Sequence, residues 1–457
     1  MLSPKLQLLV STVARLLRRG AGQSLQKVLS KQRSEDVAVI LRHVTSGQWR
    51  PIMDACPDDQ FRADVLAKVD ELVAVEIVSS MAVNRVIELF QLMGPDDQAD
   101  ILGELQEDKQ AEILAAMEQD HGEEVEGLLN YNEKTAGGIM NPVFFSLPRN
   151  TTAEDAIRHL RAADRVEMAF YIYVLNEDEQ LVGVASLRQL VTTRPETPLE
   201  DFMTADVVAV NPEMDQEEVA RLASRYGFLA IPVVDGSRRL LGIVTIDDVI
   251  DVIKDEATED IMRMAGAASD LLETGSSLGR HVRSRVVWLV ASAAGGLVAA
   301  MLMGVFEMEL TKILPLAFFV PVVIGMGGNV GTQSSTIVVR GLAMGRIDVK
   351  RLWWIIGRES IVGATLGLIY GTLVGLFGMA AFSGGGANWS GVQLGGVVAL
   401  SVLGSMTLAA FVGSLIPLLM ERIHIDPAVA TGPFVTTAVD MLGILIYFSI
   451  AKSIIPL

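Results

Sequence analysis

Near the C-terminal end of this 457-residue chain, four stretches carry no charged side chain: 286–306, 313–339, 360–382 and 392–420. Each reaches the roughly 20 residues that a helix needs to cross a bilayer. A fifth stretch, 427–451, is equally apolar except for Asp440. Backbone in hydrocarbon satisfies its polar groups only within helices or closed barrels, so these stretches predict five membrane-spanning helices. The charges divide at the same place. Residues 1–279 hold 26 Lys and Arg against 48 Asp and Glu, whereas residues 280–457 hold 11 against 7. With 50% hydrophobic and 20% charged residues, the whole is too apolar for one soluble globule and too charged for a membrane domain alone. An acidic aqueous half is therefore joined to a weakly basic membrane half.

Composition also excludes some functions. The acidic half repels phosphate, which argues against a nucleic-acid partner and favours metal cations or basic surfaces. The single cysteine, Cys56, excludes a disulfide framework and a cysteine-based zinc site. The short apolar run 6–10 precedes Arg15, Arg18 and Arg19 instead of following them, the wrong order for a signal peptide. Basic residues gather before span one (Arg280, Arg283, Arg285), between spans two and three (Arg340, Arg346, Lys350, Arg351, Arg358) and between spans four and five (Arg422). The alternate loops carry Glu307, Glu309 and Lys312, or no charge at all. The positive-inside rule then places the N-terminal region in the cytoplasm and the C-terminus outside.

Two spans carry polar groups that a plain anchor would not need. Span two reads Pro321-Val-Val-Ile-Gly-Met-Gly-Gly-Asn-Val-Gly-Thr-Gln-Ser-Ser335. Proline and glycine are expected to weaken the helix where Asn329, Thr332 and Gln333 supply polar groups, and irregular backbone at that depth must be buried or face water. A tight packing face of small residues is the other reading. Span five places Asp440 about 13 residues into the apolar stretch, near the bilayer centre, with Thr436 and Thr437 one turn before it. An ionised carboxylate there is costly unless it meets a cation or water. Oxygen ligands without imidazole or thiolate suit a hard cation such as Mg2+; a protonated, hydrogen-bonded aspartate is the alternative. Glu359, beside Arg358 at the end of span three, is expected at the surface.

The acidic half contains two repeats. Residues 24–133 show helical periodicity, and Pro57-Asp-Asp-Gln60 recurs as Pro95-Asp-Asp-Gln98, 38 residues later. Proline and acids mark helix starts, so a small solenoid of antiparallel helical hairpins is expected. Residues 137–195 and 200–254 form the second repeat. Ile172-Tyr-Val174 and Gly183-Val-Ala-Ser186 match Ile231-Pro-Val233 and Gly242-Ile-Val-Thr245 at an offset of 59 residues. Each copy predicts an amphipathic helix (152–163; 215–226), two strands joined by a polar turn, and a closing helix. The pattern resembles a tandem of CBS domains, which implies an adenine-nucleotide site with a ribose-binding Asp after the second strand. Asp248 occupies that position in the second copy and Gln189 in the first, so at most one ATP-class ligand per chain is expected. Beyond the pair, residues 247–260 continue as a helix whose Asp251, Asp255 and Glu259 fall every four residues, stacking like charges; a bridging positive group, a metal ion, is expected, and a simply solvated acidic face is the other reading.

The order of these parts, with Gly-Met-Gly-Gly-Asn-Val-Gly-Thr-Gln in span two and Gly-Pro-Phe-Val-Thr-Thr-Ala-Val-Asp in span five, resembles the MgtE family of magnesium channels nearly end to end. The resemblance implies a multidomain membrane protein: an all-α helical N-terminal domain (1–133), an α/β tandem CBS module (134–254), a connecting, plug-like helix (255–279) and a five-helix transmembrane pore domain (280–457). It implies a homodimer in the bacterial plasma (inner) membrane that passes Mg2+ and shuts when cytosolic Mg2+ is high, regulating magnesium uptake. Carried over by motif, Asp440 would hold the pore ion with Thr436 and Asn329 nearby. Asp96, Asp100, Asp215, Glu217, Asp248, Asp251, Glu256, Glu259 and Asp260 would bind regulatory Mg2+, and Asp248 would also serve nucleotide. Gly227 and Gly432 depart from the family pattern, where an acid and an asparagine occur. The chain is not expected to be an enzyme, because its five histidines (His43, His121, His159, His281, His424) form no His-Glu-x-x-His metalloprotease motif. The remaining alternative is a proton- or sodium-coupled divalent cation transporter of the Co2+/Mn2+ class regulated by its CBS domains, with Asp440 as the coupling carboxylate.

Overall fold

The computed structural model describes residues 3–163, 170–267, 278–386, 389–430 and 432–455. The chain falls into two units that divide between Asp255 and Glu256, within one helix, Ile246–Met264.

In the first unit, short helices run from Pro4–Arg18 to Gln119–Leu129. They pack around Leu41, Ile52, Leu66, Phe90 and Leu102, all nearly inaccessible to solvent. The two Pro-Asp-Asp-Gln copies start helices in different ways. Pro95 is the first residue of Pro95–Gly103, as its missing N–H allows. In the earlier copy Pro57 stays outside, and Asp58 caps Asp59–Lys68 by accepting from the Phe61 N–H at 2.8 Å.

The second repeat is reproduced in detail. Strands β1 (Ser146–Pro148), β2 (Tyr171–Leu175) and β3 (Leu181–Ser186) form one sheet, and β4 (Ala230–Val234) and β5 (Leu240–Thr245) form another. Tyr171 pairs with Ser186 and Ala230 with Thr245, and the register slips after Val174 and again after Val233, each at the same offset. Even the turn residues with positive φ correspond, Glu179 at 62° and Arg238 at 63°. Thr152 and Asp215 cap the two amphipathic helices, Ala153–Ala162 and Gln216–Tyr226. Gly227 ends the second in a left-handed conformation, φ 69°, which suits a residue without Cβ.

The second unit holds five helices long and apolar enough to cross a membrane: span one, Leu278–Val305; span two, Pro315–Ala343; span three, Leu352–Ala381; span four, Gly391–Arg422; and span five, Pro433–Ile454. Three expectations change here. Span two is an uninterrupted helix through Pro321 and its glycines. Pro321 removes only its own N–H bond, and because freeing further backbone groups in hydrocarbon is costly the helix continues on both sides of it. Span three begins at Leu352, so Arg358 and Glu359 lie inside it. Span five begins only at Pro433, so Asp440 is its eighth residue, in the first half of the helix instead of near the middle. A ladder in span three sets the tightest packing. A Cβ on Gly363, Gly367, Gly371 or Gly375 would come within 2.5–2.8 Å of span-four atoms, so only hydrogen lets these two backbones meet.

Candidate functional site

In the membrane unit, span two is divided lengthwise. Gly327 and Gly331 face inward, where added Cβ atoms would strike Ser405 and Val439, and Gly413 lies against the Gly331 carbonyl. These glycines are packing residues, as one of the two sequence readings held. The other side carries Gly325, Asn329, Thr332 and Gln333, which the chain's own helices leave at least partly open, so the polar groups fall away from the packed face. Gly328 lies between the two faces, its Cβ position 3.7 Å from an Asp440 carboxylate oxygen. Asp440 of span five thus reaches span two beside Asn329, where glycine leaves room. The Thr436 hydroxyl donates to the Gly432 carbonyl at 3.2 Å. Gly295 of span one approaches Thr437 closely enough to exclude a Cβ.

The first unit gathers a second set of acids. Pro95–Gly103 projects Asp96, Asp97 and Asp100 toward the start of the helix Ile246–Met264, where Asp248 sits with the Thr245 hydroxyl against its carboxylate. Burial pushes Asp97 and Asp100 up to about 8 and Asp248 to about 7, and the neighbouring carboxylates add to each shift. Asp96 is also raised by burial, against the lowering effect of backbone N–H groups and the Asn141 amide. One of its buried oxygens has no hydrogen-bond partner among the described residues. Buried oxygen acceptors are ordinarily paired, so an oxygen left over among carboxylates is fit for a cation. Lys68 faces the same group, its ammonium favoured by Asp97, Asp247, Asp248 and Asp251. Among the described residues no three Asp, Glu, His or Cys side chains converge to ligate an ion alone. An ion held there would keep water or backbone oxygen in its shell, as Mg2+ usually does.

The other acids named from sequence lie elsewhere. Asp215 is a helix cap, accepting from the Glu217 N–H at 2.9 Å. Asp251 pairs with Lys254 at 2.6 Å. Glu259 and Asp260 sit with Glu256 on the last turns of the connecting helix, where Arg263 pairs with both Glu259 and Asp426, and Arg340 of span two lies 4.0 Å from Asp260. The like-charge stripe is thus partly neutralised by protein cations, Lys254 and Arg263. Burial raises Asp260 and Asp255. In the first CBS copy, Gln189 is committed to a capping box: its side-chain oxygen accepts from the Ser186 N–H at 2.8 Å and its amide donates to the Phe202 carbonyl at 3.1 Å.

Two residues escaped the sequence reading. Asp97 joins the acid group through the helix start that its neighbours mark. Glu359 is buried, 8% exposed, and accepts from the Ser334 hydroxyl of span two at 3.0 Å, so its expected surface position is corrected. Adjacent helical residues point about 100° apart, which lets Arg358 stack over Trp354 while Glu359 turns inward.

Five apolar spans joined to a CBS pair, with a carboxylate among the spans, define a multi-pass membrane protein of the cation-transporter class. Family profiles match the MgtE intracellular N domain over residues 32–134, the CBS domain over 136–196 and 199–255, and the MgtE divalent cation transporter over 320–450. The magnesium transporter MgtE of Bacillus subtilis (strain 168) is 34% identical over 450 residues, 98% of this chain and 97% of that protein. That of Thermus thermophilus is 40% identical over 332 residues, 72% of each chain. Among solved structures, the cytosolic domain of the Mg2+ channel MgtE in complex with ATP matches at 33% identity with a TM-score of 0.50, over 53% of this chain and 99% of that one. The soluble part of a magnesium transporter matches at 28% identity, also with a TM-score of 0.50, over 55% of this chain and 99% of that one. The chain belongs to the MgtE family of magnesium transporters.

Proposed function

We propose that this chain is a Mg2+-selective channel, working as a homodimer in a bacterial plasma membrane, that admits Mg2+ and closes when cytosolic Mg2+ is high. The N-terminal unit lies in the cytoplasm and the C-terminus outside. Asp440, with Asn329 and Thr436 beside it, holds the passing ion, which keeps part of its water shell. The polar face of span two, open on a single chain, meets its counterpart in the second copy. Asp96, Asp100 and Asp248, joined by Asp97, bind regulatory Mg2+; Asp215, Glu217, Asp251, Glu256, Glu259 and Asp260 contribute further sensor ligands. The reading of the first group is carried by the partnerless buried oxygen of Asp96 among acids that burial has made reluctant to ionise. Divalent ions stabilise the arrangement that gathers these acids. By linkage, that arrangement prevails at high Mg2+ and acts on span one through the connecting helix. At most one ATP-class ligand binds, at Asp248, because Gln189 is already spent on its own helix cap.

Inside-out patch recording with stepped cytoplasmic Mg2+ tests the gate. The intact protein should close as Mg2+ rises, and one with Glu256, Glu259 and Asp260 neutralised should stay open; equal conduction by the intact protein at zero and high Mg2+ refutes the reading. Asp440→Ala should abolish Mg2+ flux in a protein that still folds. A proton- or sodium-coupled transporter is the second reading, favoured by Glu359, a further carboxylate buried between the spans. Uptake that ignores imposed proton and sodium gradients would exclude it.

A further inference from the structure

The connection between spans two and three carries a site that magnesium transport does not use. Gly345, at φ 62°, follows the end of span two, and the chain turns back through Asp348. The Asp348 carboxylate accepts from the Lys350 N–H at 2.8 Å and its carbonyl from the Arg351 N–H at 2.9 Å, which sets the short turn Val349–Arg351. Lys350, Arg351, Trp353 and Trp354 then line a surface pocket of about 410 Å³. The two indoles are 74% and 64% exposed, a large apolar area to leave in water. They stand where span three begins, just before the charge-free stretch that opens at 360, the depth at which tryptophan suits the headgroup layer. Arg358 covers the Trp354 ring at 5.8 Å and brings a third cation to the same end of the helix. No side chain caps the start of span three and no acid lies in its first turn, so the helix end adds to the positive field. Asp348 is the one carboxylate in the turn, and one of its oxygens already accepts the Lys350 N–H.

We propose that Lys350, Arg351, Trp353 and Trp354 bind the headgroup of an anionic phospholipid. The pocket pairs cations for the phosphate with indole faces for the glycerol and first acyl carbons. The neutral loop between spans three and four, 383–391, offers no such pairing. Basic groups at a membrane surface favour anionic lipid by about fivefold each, so Lys350 and Arg351 together discriminate by up to about 25-fold.

The tryptophans are the reporters. The full chain is reconstituted in phosphatidylcholine vesicles and titrated with brominated phosphatidylglycerol or brominated phosphatidylcholine, with indole quenching as the readout. Phosphatidylglycerol should reach half-maximal quenching at a mole fraction at least about fivefold lower, the effect of one basic group, and up to about 25-fold lower with both. Lys350→Gln with Arg351→Gln should merge the two curves, whereas Arg283→Gln with Arg285→Gln, before span one, should leave them apart. Trp353→Phe with Trp354→Phe should remove the preferential quenching, which assigns it to this pocket and not to Trp288 or Trp389. Equal quenching of the unaltered protein by both lipids overturns the proposal without requiring any variant to fold. So does a preference that survives the loss of Lys350 and Arg351. Excess inorganic phosphate should leave the curves unchanged; displacement of the lipid by phosphate would identify a free-anion site and overturn the lipid assignment.

Discussion

Binding of Mg2+ to the acids of the first unit should expel protons, and the structure sets how many. With Asp97 and Asp100 pushed up to about 8 and Asp248 to about 7, burial keeps these carboxyls largely protonated at neutral pH when no metal is present. At pH 7 the first two are each about nine-tenths protonated and the third about half, so an ion that requires these three as carboxylates releases at least roughly two protons per chain, to which Asp96, also raised by burial, adds. Titration calorimetry on the full chain, stripped of divalent ions, measures this directly. The apparent binding heat at pH 7, plotted against the ionisation enthalpy of the buffer, should have a slope of at least about two. At pH 9 the slope should fall and the affinity should rise. Asp97→Asn should lower the release at pH 7 by about one. Raised carboxylate values also fix a sign for stability without metal. Their contribution is fully present below about pH 4 and is lost as pH climbs through 7 to 8, so the metal-free first unit should melt at lower temperature as pH rises across that window. Mg2+ should flatten the trend. Binding heats independent of buffer at pH 7 would mean that the carboxyls are already ionised or that the ion binds elsewhere.

Two further outcomes follow from buried groups outside the acid cluster. Glu359→Gln keeps a partner for Ser334 and should shift thermal unfolding in detergent little, whereas Glu359→Ala strands the serine beside a void and should cost about 1–3 kcal/mol; equal melting of both variants would show that the hydrogen bond is idle. Burial pushes the Cys56 thiol up to about 12, so a thiol reagent at pH 8 should fail to label the native chain and label it fully once denatured; rapid native labelling would contradict its position in the core.

The parts of the fold that depend on periodicity were readable from the chain alone. Charge-free length announced the five spans, and the 59-residue offset announced the CBS pair with its strands and turns; the matching register slips came only from the structure. What failed were inferences from a residue's immediate neighbours. Arg358 beside Glu359 suggested a shared surface, but a helix turns consecutive side chains to different faces. Proline and glycine in span two suggested a broken helix, a rule drawn from water, where freed backbone groups find other partners. Span five was placed too early because its lead-in, Pro427–Ala430, is as apolar as the helix that follows.

The candidate sensor was the hardest part to read, and the two Pro-Asp-Asp-Gln copies show the reason. Asp59 in the first copy and Asp97 in the second hold equivalent places in the motif, yet Asp59 is held down at about 2 while Asp97 is pushed up to about 8. Arg85 and Arg62 neutralise Asp59, and Arg85 lies 26 residues along the chain. Asp97 is pushed up first by burial and then by Asp96, Asp100 and, from a different domain, Asp248, with Lys68 opposing them. The motif specifies a helix start in both copies and an ion site in neither. Which acids stay available to a cation depends on which are buried together and where distant arginines fall, and both are settled only when the helices pack.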